Sequence, residues 1–582
     1  MTRKTKHFRR GGVLAGSAVL AFGVAAALPA GAGTPARIDL PNPIPDTTTG
    51  TSVKPLDPGQ QVPLRVYLAG RPGVQAAALA VSDPASPRYG RYLTPAQFAN
   101  RFGPTIEQTG RVRDWLTQQG MAVTGTTAHY VAVNATVAQI NSAFDTQVSE
   151  YDTTETVKGG GTVTHRLPGL VGRFSGKNAT IAVLINGHVP TLLADSNRFF
   201  AGHGLPEFRP GQYVEDIPPS VEPTCAATNE SNGDPLETAI DIQSAHMAAP
   251  DAKIVQVAAD CSTNPNALLE TWLDASARVV DRHLADIVTN SFGGTDTLYA
   301  RGDEVAWDLV FQQAALEGIG FLYSTGDNGA FGEVHNAQFP ANPWVTAVGG
   351  TSIEIEKNGN RANEYVWGDN SARITEDGSG YEQPPPGGHS GGSGGGISRV
   401  FPQPAYQKPV VPHAMATSEG TTAPARVVPD ISANAGNAWL IGVSGALDAD
   451  DPSYAEFGGG AGTSASTPLM AGILADAIQA AGKPLGFVNP RLYRLKDTPA
   501  IKDILPVNPA SPPILRGERS MDTIDPNVLT TLGEDWTLTA EIGYDNATGL
   551  GVPTASFIPM LAGHRRPVST SDTQQAGKYK LR

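Results

Sequence analysis

The fold is decided by an almost unbroken apolar run, TIAVLI, at residues 180–185. A run without polar alternation is typical of a strand buried on both faces, as in a parallel sheet. Similar runs follow at residues 253–258, 286–290, 320–324 and 345–348, and helical patterns alternate with them at residues 236–248, 305–317 and 467–481. This alternation predicts an α/β domain, residues 176–563, whose parallel sheet carries helices on both faces.

A smaller unit precedes this domain. Strand and helix patterns are mixed in residues 61–155, which predicts an α+β unit. A Gly-rich break at residues 158–161 lies in a predicted linker, residues 156–175, that is exposed and cleavable. A Pro/Thr-rich leader at residues 33–60 and a polar tail at residues 564–582 are predicted to lack a fixed fold.

Composition limits the partners of the chain. Its 582 residues exceed one ordinary core, so two or more domains are expected. Charged residues make up 17%, the net charge is −14, and basic blocks occur only near the N-terminus and in the tail. This balance argues against nucleic acid as a partner.

The first 32 residues have the pattern of an export signal. Basic residues at positions 3–10 precede an apolar stretch at residues 13–28 and an Ala-Gly-Ala cleavage motif at residues 30–32. The alternative is an N-terminal membrane anchor, for which the apolar stretch is short. We therefore expect a secreted, extracellular protein with no membrane span.

The chain has two cysteines, Cys225 and Cys261. In an exported protein an even pair suggests a disulfide, and two buried free thiols are the alternative.

The strongest chemical signal is GGGAGTSASTP at residues 458–468. Crowded glycines allow a substrate backbone to come close, and Ser464 then opens an apolar helix. A nucleophile at a helix N-terminus benefits from the helix dipole when negative charge develops. The alternative is a Gly-rich turn with a serine cap.

A serine nucleophile needs a base, and the Asp and His of a subtilisin-type enzyme are not found. The first strand is followed by Asn186-Gly187, and no histidine occurs in a His-Gly-Thr helix start. His246 is expected at the surface or at a helix end. Glu237 and Asp241 are four residues apart, so they share one helix face, where two acids can form a hydrogen-bonded pair. An ordinary solvated acidic face is the alternative.

A third acid, Asp327, follows an apolar strand in STGDNG at residues 324–329. Open α/β sheets bind ligands at the carboxyl ends of their strands. The alternative is an aspartate that stabilises a tight turn.

Together these segments resemble the sedolisin family of serine-carboxyl peptidases, most closely its kumamolisin-like members. The acid pair, Asp327 and Gly462-Thr463-Ser464 match the family's motifs in order, as do FPA at residues 339–341, GGT at 349–351, GGGISR at 394–399 and Pro429-Asp430. Residues 83–104 match the family's activation domain. The resemblance implies a subtilisin-like α/β domain preceded by a ferredoxin-like prodomain.

The resemblance also implies roles. Ser464 is the nucleophile, Glu237 the general base, Asp241 its partner and Asp327 the oxyanion-hole acid. It implies a zymogen whose prodomain inhibits it and is removed by self-cleavage between residues 153 and 173, with protein or peptide substrates and a monomeric state. Endopeptidase and tripeptidyl-peptidase action both remain open.

One structural calcium ion is implied as well. The matching positions are Asp503, Ile504, Glu541, Gly543 and Asp545, and oxygen ligands of this kind suit Ca²⁺. Glu541 replaces the usual glycine, and residues 509–535 look like an insertion. Two further departures are Phe292 in place of a common tryptophan and the absence of a glutamate near Leu193 that would extend the acid network.

Two other functions compete with this interpretation. One is a His-dependent subtilase, and the other is a catalytically inactive relative that serves as a binding protein.

Overall fold

The computed structural model describes residues 19–22, 54–55, 57–144, 149–150, 174–221, 235–261, 265–292, 303–329, 341–355, 361–375, 377–417, 423–436, 440–445, 453–458, 461–508, 513–519, 524–533 and 538–563.

The N-terminal unit is a sheet with helices. Its strands are β1 (Val19–Phe22), β2 (Lys54–Pro55), β3 (Gln61–Leu68), β4 (Ala122–Thr126), β5 (Tyr130–Thr136) and β6 (Ser149–Glu150), and its helices are α1 (Val74–Ser82), α2 (Pro95–Arg101), α3 (Ile106–Gln118) and α4 (Val137–Phe144). The main sheet has the order β1-β3-β5-β4, and β2 pairs with β6. The predicted α+β unit is therefore present.

Local chemistry explains where two of these helices begin. Thr94 and Thr105 each cap a helix, and in both cases the glutamine three residues later completes a capping box. Each box satisfies two backbone N–H groups that the first turn leaves without helical partners. Gly120, with φ of +80°, follows the end of α3.

The α/β domain contains the remaining elements. Its strands are β7 (Thr180–Asn186), β8 (Tyr213–Asp216), β9 (Lys253–Ala259), β10 (Ile287–Asn290), β11 (Gly320–Ser324), β12 (Thr346–Ile355), β13 (Arg361–Val366), β14 (Gly368–Arg373), β15 (Gly388–Gly392), β16 (Gly396–Pro402), β17 (Ala425–Val428), β18 (Ile431–Asn434), β19 (Leu440–Ser444), β20 (Tyr454–Gly458), β21 (Ile501–Lys502), β22 (Ile514–Arg519), β23 (Ile524–Leu532) and β24 (Val552–Pro553). Its helices are α5 (Leu192–Gly202), α6 (Pro235–Ala248), α7 (Pro265–Asp281), α8 (Asp303–Glu317), α9 (His413–Ala416), α10 (Thr463–Ala481), α11 (Asn489–Leu492) and α12 (Phe557–Leu561), with a 3₁₀ turn at Tyr493–Leu495.

An eight-stranded sheet forms the centre of this domain. The order is β13-β12-β11-β10-β7-β9-β8, with β18 paired to β12. The pairs are parallel except for β12 with β13. Every residue of β10 and β11 is buried, which requires cover on both faces. Helices α6 and α10 pack together against the sheet, as do α7 and α8, so the predicted α/β architecture is confirmed.

The chain order of the strands reverses beside β7. Strands β9 and β8 lie on one side of β7, and β10, β11 and β12 lie on the other. The carboxyl ends of strands at such a reversal diverge and leave a crevice in which ligands bind.

A second, antiparallel sheet has the order β15-β14-β23-β22. Strands β22 and β23 lie in the segment that looked inserted in the sequence. The region at residues 378–396 is rich in Gly, Pro and Ser, a composition typical of a loop, yet it contains β15 and the start of β16. Pairing to β14 supplies the hydrogen bonds that glycine-rich sequence does not predict.

Two buried side-chain contacts join the N-terminal unit to the α/β domain. The Arg65 guanidinium on β3 pairs with Glu270 and Asp274 on α7. His129 Nε2 lies 3.0 Å from Asp281 Oδ1.

Several sequence predictions fall on the N-terminal segment and the linker. Residues 1–18 and 23–53 of the signal and leader, and the linker at 158–161, lie outside the described residues. Within the predicted leader, Lys54–Pro55 pairs with Ser149–Glu150, so this part of the leader is in a strand. No helix in the described part of the chain is long and apolar enough to cross a membrane.

Candidate active site

The serine expected to be the nucleophile lies in the first turn of α10. The helix begins at Thr463, four residues before the predicted start, so Ser464 is its second residue. Ser464 is half-buried, whereas Thr463 is fully buried. Gly462 precedes the helix, and a Cβ at this position would lie 3.0 Å from Asp327 Oδ2. A side chain here would press on the Asp327 carboxyl, so glycine lets this carboxyl pack directly against the backbone.

The expected acid pair lies on α6. Glu237 is in the first turn and half-buried, and Asp241 one turn later is buried. The Ser291 hydroxyl, which follows β10, donates to Asp241 Oδ1 at 2.6 Å. The same hydroxyl lies 3.3 Å from the carbonyl oxygen of Ser464. One side chain therefore joins the acid helix to the serine helix, and Asp241 does not belong to a solvated acidic face.

Asp327 lies just beyond β11 and contacts the residue before the serine. The backbone N–H of Thr463 donates to Asp327 Oδ1 at 2.7 Å, and the Thr463 hydroxyl does so at 2.9 Å. Burial raises the pKa of Asp327, and the two bonds from Thr463 oppose that rise only in part. A carboxyl with a raised pKa keeps its proton in acid and can then donate a hydrogen bond.

Strand β15 fixes the loop that carries Asp327. Gly392 N–H donates to the Asp327 carbonyl at 2.8 Å, and Gly329 N–H donates back to the Gly392 carbonyl at 3.0 Å. The Thr463 hydroxyl also accepts from Gly326 N–H at 2.9 Å. Asp327 is thus held from both sides.

The fold places all of these groups at one edge of the sheet. Ser291 follows β10 and Asp327 follows β11, and these strands are parallel neighbours. The first turns of α6 and α10 face the same edge through Asp241 and Thr463. This edge is the crevice expected at the chain-order reversal.

His246 was predicted at the surface or a helix end, and it is at a helix end but not at the surface. It lies buried in the last turn of α6, against Phe200 and Phe208. Burial lowers its pKa to about 4. Its Nε2 lies 2.9 Å from the Pro206 carbonyl oxygen, so the ring is part of a core, and it lies about two and a half turns of helix from Glu237.

The residues expected to bind calcium converge near the C-terminus. Asp503 Oδ2 accepts from Gly543 N–H at 2.8 Å, and Asp545 Oδ2 accepts from Glu541 N–H at 3.1 Å. Ile504 is buried beside Asp503. Asp503 Oδ1 is buried and has no hydrogen-bond partner. Although the described residues contain no cluster of three or more His, Cys, Asp or Glu side chains, a buried carboxylate oxygen without a partner fits a hard cation.

The predicted disulfide involves one described residue. Cys261 is buried after β9, against Val221 and Ala258. Cys225 lies outside the described residues, so the pairing stays a prediction.

Sequence reasoning missed two polar residues of this site. It used Thr463 only as part of a motif and gave Ser291 no role. The signal for Ser291 was its position directly after a predicted buried strand, as for Asp327.

Comparisons with known proteins give matches in two parts of the chain. Residues 48–172 match the pro-kumamolisin activation domain, and residues 224–496 match the subtilase family. Kumamolisin from Bacillus sp. (strain MN-32) is 34% identical over 46% of this chain and 45% of its own length, so this match spans less than half of each protein.

Two further matches cover more of the chain. Sedolisin from Pseudomonas sp. (strain 101) is 24% identical over 73% of this chain and 77% of its own length. The solved structure of Pseudomonas sedolisin matches with a TM-score of 0.49 and 22% identity, over 68% of this chain and 94% of that one. The chain joins a pro-kumamolisin activation domain to a peptidase domain of the subtilase family, and it is a homologue of kumamolisin, sedolisin and tripeptidyl-peptidase 1.

Proposed function

We propose that this chain is a secreted serine-carboxyl peptidase, made as a zymogen, that hydrolyses peptide bonds in acid. The observation that carries the proposal is the position of Asp327, which contacts the residue before Ser464 through two hydrogen bonds. Ser291 places Asp241 at the same edge. Carboxyl groups thus lie on both sides of the serine helix start, and we assign to Glu237 the proton-accepting role that an imidazole has in a His-dependent enzyme.

The chemistry follows from these positions. The Ser464 hydroxyl attacks the scissile carbonyl while Glu237 accepts its proton, and Asp241 holds Glu237 through a shared proton. Protonated Asp327 and the Ser464 N–H donate to the oxyanion. Glu237 then protonates the leaving amine, and an acyl-enzyme forms. Water attacks this ester, gives its proton to Glu237 and releases the product acid, and Ser464 regains its proton.

Acid pH is required by two of these groups together. Glu237 must be able to accept a proton, and a glutamate, unlike a histidine, is still partly ionised near pH 4. Asp327 must keep its proton, and burial raises its pKa. Activity is therefore lost at low pH when the acid pair is fully protonated, and lost at high pH when Asp327 ionises. The two pH values at which activity falls are properties of the coupled acid groups, and neither is the pKa of a single residue.

The proposal predicts a bell-shaped pH–rate profile centred in acid. The measurement is hydrolysis of a denatured protein from pH 2.5 to 8 by the acid-processed full chain. Ser464→Ala should abolish activity and leave the precursor at full length, whereas Ser466→Ala should stay active because Ser466 bonds only to the Thr463 carbonyl of its own helix. A maximum at neutral pH would instead favour a His-dependent enzyme. No activity at any pH would favour a binding protein.

We also propose the calcium ion and the disulfide. Asp503, Asp545 and the backbone at Ile504, Glu541 and Gly543 would hold Ca²⁺, which supplies positive charge between the buried carboxylates. A disulfide between Cys225 and Cys261 suits an exported protein, and the described residues contain no free cysteine.

Removing calcium should lower stability. We expect a chelator to lower the midpoint of thermal unfolding of the Ser464→Ala precursor, because two buried carboxylates lose their counter-ion. Asp503→Asn should unfold at a lower temperature than the parent in calcium and respond little to the chelator. An unchanged midpoint in both experiments would contradict a calcium site here.

A further inference from the structure

Ser291 occupies a position between the two helices of the site. Its hydroxyl oxygen lies 2.6 Å from Asp241 Oδ1 and 3.3 Å from the Ser464 carbonyl oxygen. A hydroxyl has one proton to donate, and the shorter contact is to a carboxyl oxygen. The proton therefore goes to Asp241, and the contact to Ser464 is secondary.

The backbone of Ser291 is fixed by the neighbouring strand. Asn290 pairs with Tyr323 in the parallel register of β10 and β11, so Ser291 and Ser324 are the next residues in line. The Ser324 hydroxyl donates to the Ser291 carbonyl at 3.1 Å. Ser324 is buried, so this bond is protected from water. The Ser291 side chain is consequently presented to α6 from a rigid strand end.

The direction of this hydrogen bond matters for the acid pair. A hydrogen-bond donor to a carboxylate favours the ionised form of that carboxylate. The bond also occupies one of the two carboxylate oxygens as its acceptor. The other oxygen of Asp241 is then left for the proton that it shares with Glu237. Without the Ser291 donor, a buried carboxyl oxygen loses a hydrogen bond, and the side chain that joins the acid helix to the serine helix is lost.

We propose that Ser291 is a positioning residue that orients Asp241, and through it Glu237, toward the nucleophile. The inference rests on the proposed peptidase function.

Charged groups on the elements that pack against α6 could also affect the titration of the acid pair, and their positions and contacts are as follows. Asp195 on α5 accepts from the Ser444 hydroxyl of the β19 end, and Arg198 on α5 lies over the Tyr454 ring. Asp476 is on α10, three turns of helix beyond Ser464, and Asp327 contacts Thr463. On α6 itself, Glu237 lies one turn before Asp241.

The test compares three variants of the full chain after acid processing, with wild-type enzyme added where a variant does not process itself. Ser291→Ala should lower kcat roughly 10- to 100-fold, the range expected for loss of one hydrogen bond to a charged group, with little change in KM. The acid limb of its pH–rate profile should move to higher pH, because the ionised form of the pair loses a donor. Ser291→Thr keeps the hydroxyl and should retain activity within about threefold.

Ser196→Ala is the matched control, since buried Ser196 also contacts α6 but does so by accepting from Gln243 Nε2 at 3.2 Å. It should leave kcat and the profile unchanged. The inference is overturned if Ser291→Ala has the wild-type kcat and profile, or if its loss of kcat is matched by Ser196→Ala. If Ser291→Ala does not fold, Ser291→Cys, a weaker donor, takes its place with the same two criteria. Inactive wild-type enzyme would overturn the proposed function instead.

Discussion

At the scale of single residues, Thr463 positions Asp327, the acid that we propose for the oxyanion hole. Its backbone N–H and its hydroxyl both donate to Asp327 Oδ1, and the hydroxyl in turn accepts from Gly326 N–H. Because both groups donate to Oδ1, the proton that the proposed mechanism requires on Asp327 is expected on Oδ2. Asp327 Oδ2 is also the atom nearest to the point where a Cβ on Gly462 would lie, beside the serine. A single threonine thus selects which carboxyl oxygen carries the proton.

Replacing this hydroxyl should weaken catalysis. We expect Thr463→Val to lower kcat roughly tenfold, because Asp327 loses one of its two donors and its loop loses a contact. Thr467→Val, on the same helix, removes a hydroxyl that bonds only to the Thr463 carbonyl, and it should be nearly neutral for kcat. Peptide hydrolysis at the pH optimum is the measurement. Equal kcat in both variants would show that the Thr463 hydroxyl does not position Asp327.

At the scale of elements, strand β3 of the activation domain meets helix α7 of the peptidase domain through charge. Arg65 faces two acids, Glu270 and Asp274, and it stands over the Tyr130 ring. Burial raises the pKa of Asp274, although Arg65 opposes this. Falling pH therefore neutralises Asp274 and weakens the contact between the two domains.

Removal of Arg65 should ease activation. In Arg65→Ala, Glu270 and Asp274 lose the positive charge that faces them. The packing of β3 against α7 then leaves these acids without a counter-charge and becomes unfavourable. We expect the precursor to begin conversion at a pH about one unit higher than wild type, which corresponds to ~1.4 kcal/mol. Gel analysis of conversion across pH 3 to 7 checks this. Arg111→Ala, which breaks an exposed pair with Glu107 in the same domain, should convert at the wild-type pH. An unchanged onset in Arg65→Ala would contradict the prediction.

At the scale of the whole molecule, buried carboxyl groups favour stability in acid. Burial raises the pKa of Asp286, Glu317, Glu364 and Asp327, and that of Asp476 to about 7. A carboxyl whose folded pKa is raised contributes fully below its unfolded pKa, and the contribution is lost as pH rises through the folded value. The folded protein should therefore be more stable near pH 4 than near pH 8.

Asp476 should account for much of this dependence. It is buried on α10, and its Oδ1 has no hydrogen-bond partner. Between an unfolded pKa near ~3.9 and its folded value of about 7, its ionisation should cost on the order of 4 kcal/mol. Urea unfolding of the inactive Ser464→Ala precursor from pH 4 to pH 8 measures the slope. Adding Asp476→Asn should flatten it, and an equally steep slope would contradict this assignment.

The sequence by itself predicted most of the fold. Continuous apolar runs located β7, β9, β10 and β11 to within a residue or two, because burial on both faces leaves no polar alternation. It also predicted Ser464, Glu237, Asp241 and Asp327 as the site, since motif order and helical spacing are local properties. Helix α7 and strand β15 were not predicted, because their placement depends on partners far away in the chain.

Only the tertiary structure decided how the site residues meet. Ser291 and Asp241 are 50 positions apart, and Asp327 and Thr463 are 136 apart, so no local pattern records their contacts. Likewise, the burial of His246 became visible only when Phe200 and Phe208 were packed against it. Sequence patterns carry the periodicity of a strand or helix, whereas a hydrogen bond between distant residues exists only after the sheet has brought its strand ends together.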